Sequence, residues 1–146
     1  ARNKVVTPLN SIDVKALELF VLYPSYVLKL SNIDDVLNGI ESDEIRIILK
    51  NYVKQGCDAS VLLDDIKQKP EIYAIVSRAF LTEQSELPLE ELRALEAKLI
   101  RRGLEHSRNV LRALIKKTDE TKNTTEFKRL MTDYHELVRR LDEGGR

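Results

Sequence analysis

The chain has 146 residues, of which 42% are hydrophobic and 33% charged, and this length fits one domain with a real core. Its 24 basic and 24 acidic residues cancel, which gives no reason to expect a nucleic-acid binder with a basic excess. The single cysteine, Cys57, excludes an internal disulfide and favours a reducing compartment.

No apolar run in the sequence approaches the length of a membrane span, and no secretory signal is visible, so we expect a cytoplasmic protein without a membrane partner. The sequence begins with Ala1, and its one methionine is Met131. These two features favour a processed piece or an excised segment of a longer protein.

The first 85 residues read as a linker at 1–10 followed by five or six short helices. Scarce Gly and Pro and helical apolar spacing predict these helices. The predicted spans are 12–23, 25–30, 44–55, 59–68 and 71–81. The predicted N-caps are Ser11, Asn32, Ser42 and Asp58, with Pro24 and Pro70 in first turns and Gly56 in a left-handed C-terminal position. The predicted inner face of the 71–81 helix is Ile72, Ile75, Val76 and Phe80.

Two long helices are predicted to close the chain. Residues 88–117 would form a rod of about 45 Å, which is longer than a small bundle needs. A polar turn at 118–125, with Thr124 or Thr125 as a cap, leads to a helix at 126–142 with heptad-like apolar spacing. The predicted fold is therefore all-α, with a small multi-helix bundle at 11–86 followed by a long helix and a C-terminal antiparallel helical hairpin at 87–143.

No catalytic, cofactor-binding or metal-ligating residue is predicted. His106 and His135 lack a second His or Cys at helical spacing, and nothing near Cys57 would lower its pKa. The pairs at 34–35 and 64–65 are adjacent aspartates that cannot face each other on a helix, so we interpret them as caps or solvated acids. A helix-turn-helix interpretation of 44–68 fails because its second helix is acidic.

Two features of residues 88–118 indicate an interaction role. This segment carries more basic than acidic residues, which is either a solvated face or a strip that steers an acidic partner. Its apolar arc is also wide, with one edge at Leu104, Leu111 and Ile115 and another at Gly103, Val110 and Leu114. Either both edges are covered, or one stays open beside Arg108, Arg112 and Lys116 as a docking site. Gly103 is a candidate soft point in the rod.

The order of these parts, with the segment LELFVLYPSYV at 17–27 and the Leu/Arg/Leu pattern at 137–141, resembles the C-terminal helicase-binding domain of bacterial replicative DNA primase. The resemblance implies a non-catalytic domain that docks on the N-terminal domains of the hexameric replicative helicase in the bacterial, nucleoid-associated cytoplasm. It also implies that the parent protein is an RNA-primer-synthesising polymerase whose zinc and magnesium sites lie in upstream domains.

The resulting hypothesis places helicase docking on the hairpin, without strong direct nucleic-acid binding. The predicted partner-binding residues are Leu104, Arg108, Leu111, Arg112, Ile115, Lys116, Phe127, Leu130 and Tyr134. Three alternatives remain at this point: a self-associating structural bundle that forms a weak homodimer, the N-terminal domain of the replicative helicase itself, and a nucleic-acid accessory domain that uses the 88–118 strip.

Overall fold

The computed structural model describes residues 9–82, 86–118 and 123–144. Within these ranges the chain forms eight helices and no β-strand, which confirms the predicted all-α class. The helices are α1 (Ser11–Leu22), α2 (Pro24–Leu28), α3 (Ile33–Leu37), α4 (Asp43–Lys54), α5 (Ala59–Ile66), α6 (Pro70–Leu81), α7 (Leu89–Lys117) and α8 (Thr124–Gly144).

Side-chain caps begin α4 and α5 at the predicted residues. The Ser42 hydroxyl accepts a hydrogen bond from the Ile45 N–H at 3.2 Å, and the Asp58 carboxylate accepts one from the Ser60 N–H at 2.9 Å. Both caps satisfy backbone donors that a first helical turn leaves without an intrahelical partner. These two predictions are confirmed.

Proline and glycine mark other helix boundaries as predicted. Pro24 and Pro70 occupy the first positions of α2 and α6, where the missing N–H loses no bond. After α4, Gly56 adopts a left-handed conformation with φ of 71°, and Cys57 follows it with φ of 60°. Cys57 is half-buried, so the turn folds its thiol onto the edge of the core.

Two predicted N-caps differ from the structure. One lies one residue from the predicted position, and the other lacks the expected capping bond. Asn10, not Ser11, caps α1, since its side-chain oxygen accepts from the Ile12 N–H at 2.8 Å. Asn32 occupies the N-cap position of α3, but its side chain makes no capping bond there. Residues 1–8 of the predicted linker lie outside the described residues, and Asn10 already belongs to the helix boundary.

The cap of α8 also differs from the prediction of Thr124 or Thr125. The side-chain oxygen of Asn123 accepts a hydrogen bond from the Glu126 N–H at 3.2 Å, so the helix begins two residues earlier than expected. Residues 119–122 of the predicted turn lie outside the described residues.

One hydrophobic core joins α1–α6 to the first half of α7. Its largest fully buried side chains include Phe20 and Tyr52. α6 supplies Ile72, Ile75, Val76 and Ala79 to the buried set, whereas Phe80, predicted on the inner face, is 41% exposed. At about 100° per residue, the four buried side chains of α6 span an arc of about 100°, and Phe80 lies about 40° beyond the edge of that arc at Val76.

α7 and α8 form the antiparallel hairpin. Arg101 near the middle of α7 donates to the carbonyl of Leu141, and Arg112 near its end donates to the hydroxyl of Tyr134. The α8 partner moves back along the chain as the α7 residue moves forward, which defines an antiparallel pair. None of the described helices is long and apolar enough to cross a bilayer.

Candidate interaction surface on the helical arm

The hairpin leaves the bundle where α7 crosses the end of α3 at two glycines. A Cβ on Gly39 would lie 1.8 Å from the backbone oxygen of Leu99, so only glycine allows this approach. Gly103 lies at the same contact, and a Cβ built on it would lie 3.3 Å from the Gly39 nitrogen. The expected soft point is therefore a buried packing contact, and α7 runs through it without a break.

An ionic cluster built around one buried carboxylate lies at the same crossing. The Asp13 carboxylate on α1 is fully buried and accepts hydrogen bonds from the backbone N–H groups of Glu41 and Ser42, at 3.2 and 2.9 Å. Arg102 on α7 reaches Asp13 at 3.5 Å and the Glu41 carboxylate at 2.8 Å. Since these groups come from α1, the α3–α4 connection and α7, the cluster sets how the arm leaves the bundle.

We define the arm as residues 104–117 of α7 together with α8. After Gly103, no α7 residue up to Lys117 is fully buried. α8 contributes two buried side chains, Leu130 and Leu141, and neither belongs to the bundle core. The arm is thus held together by one narrow seam between two helices.

Most of the predicted partner-binding residues line this seam. Leu104, Leu111 and Ile115 share one edge of α7 and are half-buried, and Leu104 lines an apolar cleft of about 210 Å³ with Leu141. On α8, Phe127 and Tyr134 are half-buried, and Leu130 is only 2% exposed. These six side chains hold the two helices together, so Leu130 in particular reaches a partner only if the hairpin opens.

The three predicted basic residues differ in their surroundings. Arg112 is exposed and donates to the Tyr134 hydroxyl at 3.1 Å, with its guanidinium carbon 5.9 Å from the ring centroid. Lys116 is exposed. Arg108 is half-buried in the seam, and its Nε is buried without a hydrogen-bond acceptor among the described residues. A buried donor without an acceptor typically costs about 1–3 kcal/mol of stability.

The uncovered edge of the arm is the other one, at Val110 and Leu114. Each of these side chains is 45% exposed. They continue the stripe of α7 that is buried against the bundle at Leu92, Leu99 and Gly103, because the five positions follow a spacing of seven and four residues. One apolar stripe is therefore covered by the bundle up to Gly103 and open to solvent beyond it.

The outer faces of the two arm helices also differ in charge pairing. On α8, Arg129 pairs with Glu126 and Asp133, and Arg139 pairs with Glu136 and Glu143. The hydrogen bond from Arg129 lowers the pKa of Glu126. On α7, no carboxylate in the described ranges pairs with Arg112, Lys116 or Lys117. Lys117 lies two turns after Val110, on the same side of α7.

The other chemically reactive side chains have ordinary structural surroundings. Asp35 pairs with Arg140 at 3.7 Å, Asp64 pairs with Lys67 at 3.0 Å, and Asp65 accepts from Asn51. Burial raises the pKa of the Cys57 thiol, which keeps it protonated. In the part of the chain that the structure describes, no three His, Cys, Asp or Glu side chains are grouped to hold a metal ion.

Comparison with known proteins adds no relative, since no family model, curated protein or solved structure matches the chain.

Proposed function

We propose that this chain is a non-catalytic docking domain that attaches a DNA primase to the hexameric replicative helicase, with the arm as its docking element. The observation that carries the proposal is the apolar stripe of α7, which loses its cover after Gly103 and continues as exposed Val110 and Leu114. The choice of partner rests on the resemblance of the sequence to the helicase-binding domain of bacterial primases.

The chemistry of the open edge suits a protein partner with an acidic border. Val110 and Leu114 offer a small apolar contact, and Lys117 on the same side has no carboxylate partner among the described residues. An apolar centre with a charged rim is the usual composition of a protein interface. Rim charges mainly accelerate association, and a contact this narrow fits a transient complex with micromolar affinity.

This proposal revises how the predicted residues take part. The exposed cations Arg112 and Lys116 lie on the opposite flank of α7 from Val110 and steer the partner electrostatically. The seam residues Leu104, Leu111, Ile115, Phe127, Leu130 and Tyr134 act indirectly, because they keep α7 and α8 together. Arg108 lies on α7 between the seam residues and the exposed cations.

The wider assignments belong to the same proposal. The chain would have no catalytic site, and the zinc and magnesium sites would belong to upstream domains of a parent primase in the bacterial cytoplasm. The neutral total charge supports a domain that binds protein and makes no strong nucleic-acid contact.

Calorimetric titration against the N-terminal domain of the same organism's hexameric helicase tests this function. We expect binding at micromolar concentrations and at least roughly tenfold weaker binding for the Val110→Asp/Leu114→Asp variant, whose charges disrupt the apolar contact. Ile47→Asp on α4 is the matched control, because Ile47 is 66% exposed and lies on the bundle. No binding by the unaltered chain, or equal weakening by the control, would contradict the proposal.

Self-association is the second candidate, because the same apolar edge can pack against the corresponding edge of a second copy of the chain. Sedimentation velocity over a range of concentrations separates the two. A dimer that disappears in the Val110→Asp/Leu114→Asp variant would support self-association, whereas a monomer at every concentration leaves the edge free for another protein.

A further inference from the structure

A second surface lies on the bundle, away from the arm, in the groove between α2 and the start of α7. The groove has a volume of about 430 Å³ and is lined by two chain segments, residues 25–30 and 87–96. Leu87 and Leu89 form its apolar wall and are 45% and 37% exposed. Leu30 and Tyr26 line the opposite side.

A hydrogen bond fixes the shape of this groove. The Tyr26 hydroxyl donates to the Glu96 carboxylate at 2.6 Å, which ties α2 to α7 across its floor. Burial and this bond raise the pKa of Tyr26 to about 12, so the phenol stays protonated and the bond persists at neutral pH. Because this hydrogen bond holds α2 and α7 together, the groove needs little rearrangement to accept a ligand, which lowers the entropic penalty of binding.

The rim of the groove is positively charged. Lys29 and Arg93 both line it and are exposed, and neither has a carboxylate partner in the described ranges. Arg93 is close enough to Tyr26 to oppose the rise of its pKa, so its charge faces the groove. Among the described residues that line the groove, Glu96 is the one carboxylate, and it accepts the hydrogen bond from Tyr26. An apolar wall beside two cations that have no carboxylate partner among the described residues is complementary to apolar side chains that are followed by carboxylates.

We propose that the α2–α7 groove is a second interaction surface, which binds a short acidic and apolar segment of a partner protein. The inference does not rest on helicase docking, because none of its residues belongs to the arm. A domain with both surfaces could hold one partner on the arm and a second on the bundle.

An NMR titration of the isotopically labelled chain with a short amidated peptide tests the groove. Leu and Phe alternate with Asp in the probe peptide, and Lys replaces Asp in its matched analogue. We expect saturable shifts confined to residues 25–30 and 87–96, and at least about tenfold weaker binding of the Lys analogue because its charges meet Lys29 and Arg93. The Lys29→Glu/Arg93→Glu variant should lose the Asp peptide to the same degree.

Lys54→Glu/Arg78→Glu is the control, since it makes the same charge change at exposed positions that do not line the groove. Absence of saturable binding, shifts centred elsewhere, or equal loss in the control would overturn the proposal. Shifts at the groove that grow with protein concentration without peptide would overturn it in favour of a second copy of the chain. Each of these results leaves the helicase titration on the arm unaffected, so the two proposals fail separately.

Discussion

The bundle and the arm are built from the same kind of amphipathic helix, but they differ in how much of each helix is covered. In the bundle, α7 has neighbours on two sides, and Leu92, Leu95 and Leu99 join a single continuous core. In the arm, α7 packs mainly on α8, although Glu105, His106 and Asn109 still line a cavity with the α3–α4 connection. An equivalent apolar stripe ends in solvent there. The same sequence pattern thus supplies stability where the fold surrounds it and leaves an exposed apolar edge where the fold stops.

The junction between the two regions should be the most sensitive point of the molecule. Gly39→Ala places a Cβ 1.8 Å from the Leu99 carbonyl oxygen, a backbone atom that cannot rotate away. We expect α3 and α7 to separate and the free energy of unfolding to fall by about 4 kcal/mol, above the usual range for overpacking.

Urea unfolding measures this effect, and Gly103→Ala is its control on the facing helix. There the added Cβ would lie 3.3 Å from the Gly39 nitrogen, a tight contact whose cost is offset by a gain in helix propensity of about 1 kcal/mol. Equal destabilisation by the two variants would contradict the asymmetric crossing.

Core truncations should separate the bundle from the arm. Leu49→Ala removes a fully buried side chain of the bundle and should lower the global free energy of unfolding by about 3 kcal/mol. Leu130→Ala opens a cavity in the seam and should accelerate hydrogen exchange in α8 and the end of α7 only. If Leu130→Ala lowered protection throughout the bundle, the two regions would be one cooperative unit.

The buried carboxylate at the junction should come next in size. In the unaltered chain, each Asp13 carboxylate oxygen accepts a hydrogen bond from one backbone N–H group. Asp13→Asn replaces one of these acceptors with an amide NH₂ and removes the negative charge that faces Arg102. We expect a loss of about 2 kcal/mol in chemical unfolding. Asp34→Asn, at an exposed position, is the control and should change stability by less than about 0.5 kcal/mol.

A stabilising change is expected within the arm. Arg108→Met removes the buried Nε that lacks an acceptor among the described residues and extends the apolar seam. Local protection of the arm in hydrogen exchange should rise by about 1 kcal/mol. Arg112→Met removes the hydrogen bond and the ring contact to Tyr134, so it should lower the local protection of the arm. A decrease in protection for both variants would show that Arg108 has a stabilising partner.

The smallest effect is a pH dependence in the bundle. The pKa of Tyr26 is raised from 10.0 to about 12, so the folded state holds this proton more tightly than the unfolded state. The resulting stabilisation is complete below pH 10 and is lost as the pH rises towards 12. Burial also raises the pKa of Tyr52, so the comparison must be with Tyr26→Phe. The stability advantage of the unaltered chain over this variant should shrink across that interval, and a constant advantage would contradict the assignment.

Local signals in the sequence predicted the parts of this fold that depend on neighbouring residues. The caps at Ser42 and Asp58, the turn at Gly56 and the two long helices all follow from interactions within a few residues. Contacts between distant segments were beyond such reasoning. The Asp13–Arg102–Glu41 cluster joins three separate regions, and no short-range pattern indicates it.

The candidate surface shows the same difference between what local signals predict and what depends on contacts between distant segments. Apolar spacing identified both edges of α7 but could not decide which one stays open, because that depends on where α8 packs and where the bundle ends. Gly103 had the same ambiguity, since a glycine in a helix indicates a weak point or a close approach, and only Gly39 opposite it shows which applies. The α2–α7 groove combines residues 25–30 with 87–96, and neither segment indicates it alone.

Hydrogen exchange measured with and without the helicase N-terminal domain tests the central claim most directly. Alone, the arm should open with a free energy well below that of the bundle, because its seam contains few buried side chains. With the helicase domain, protection should rise at residues 104–117 and remain unchanged on the exposed face of α4. Equal protection of arm and bundle in the free chain, together with no change in the arm on adding the helicase domain, would contradict the account.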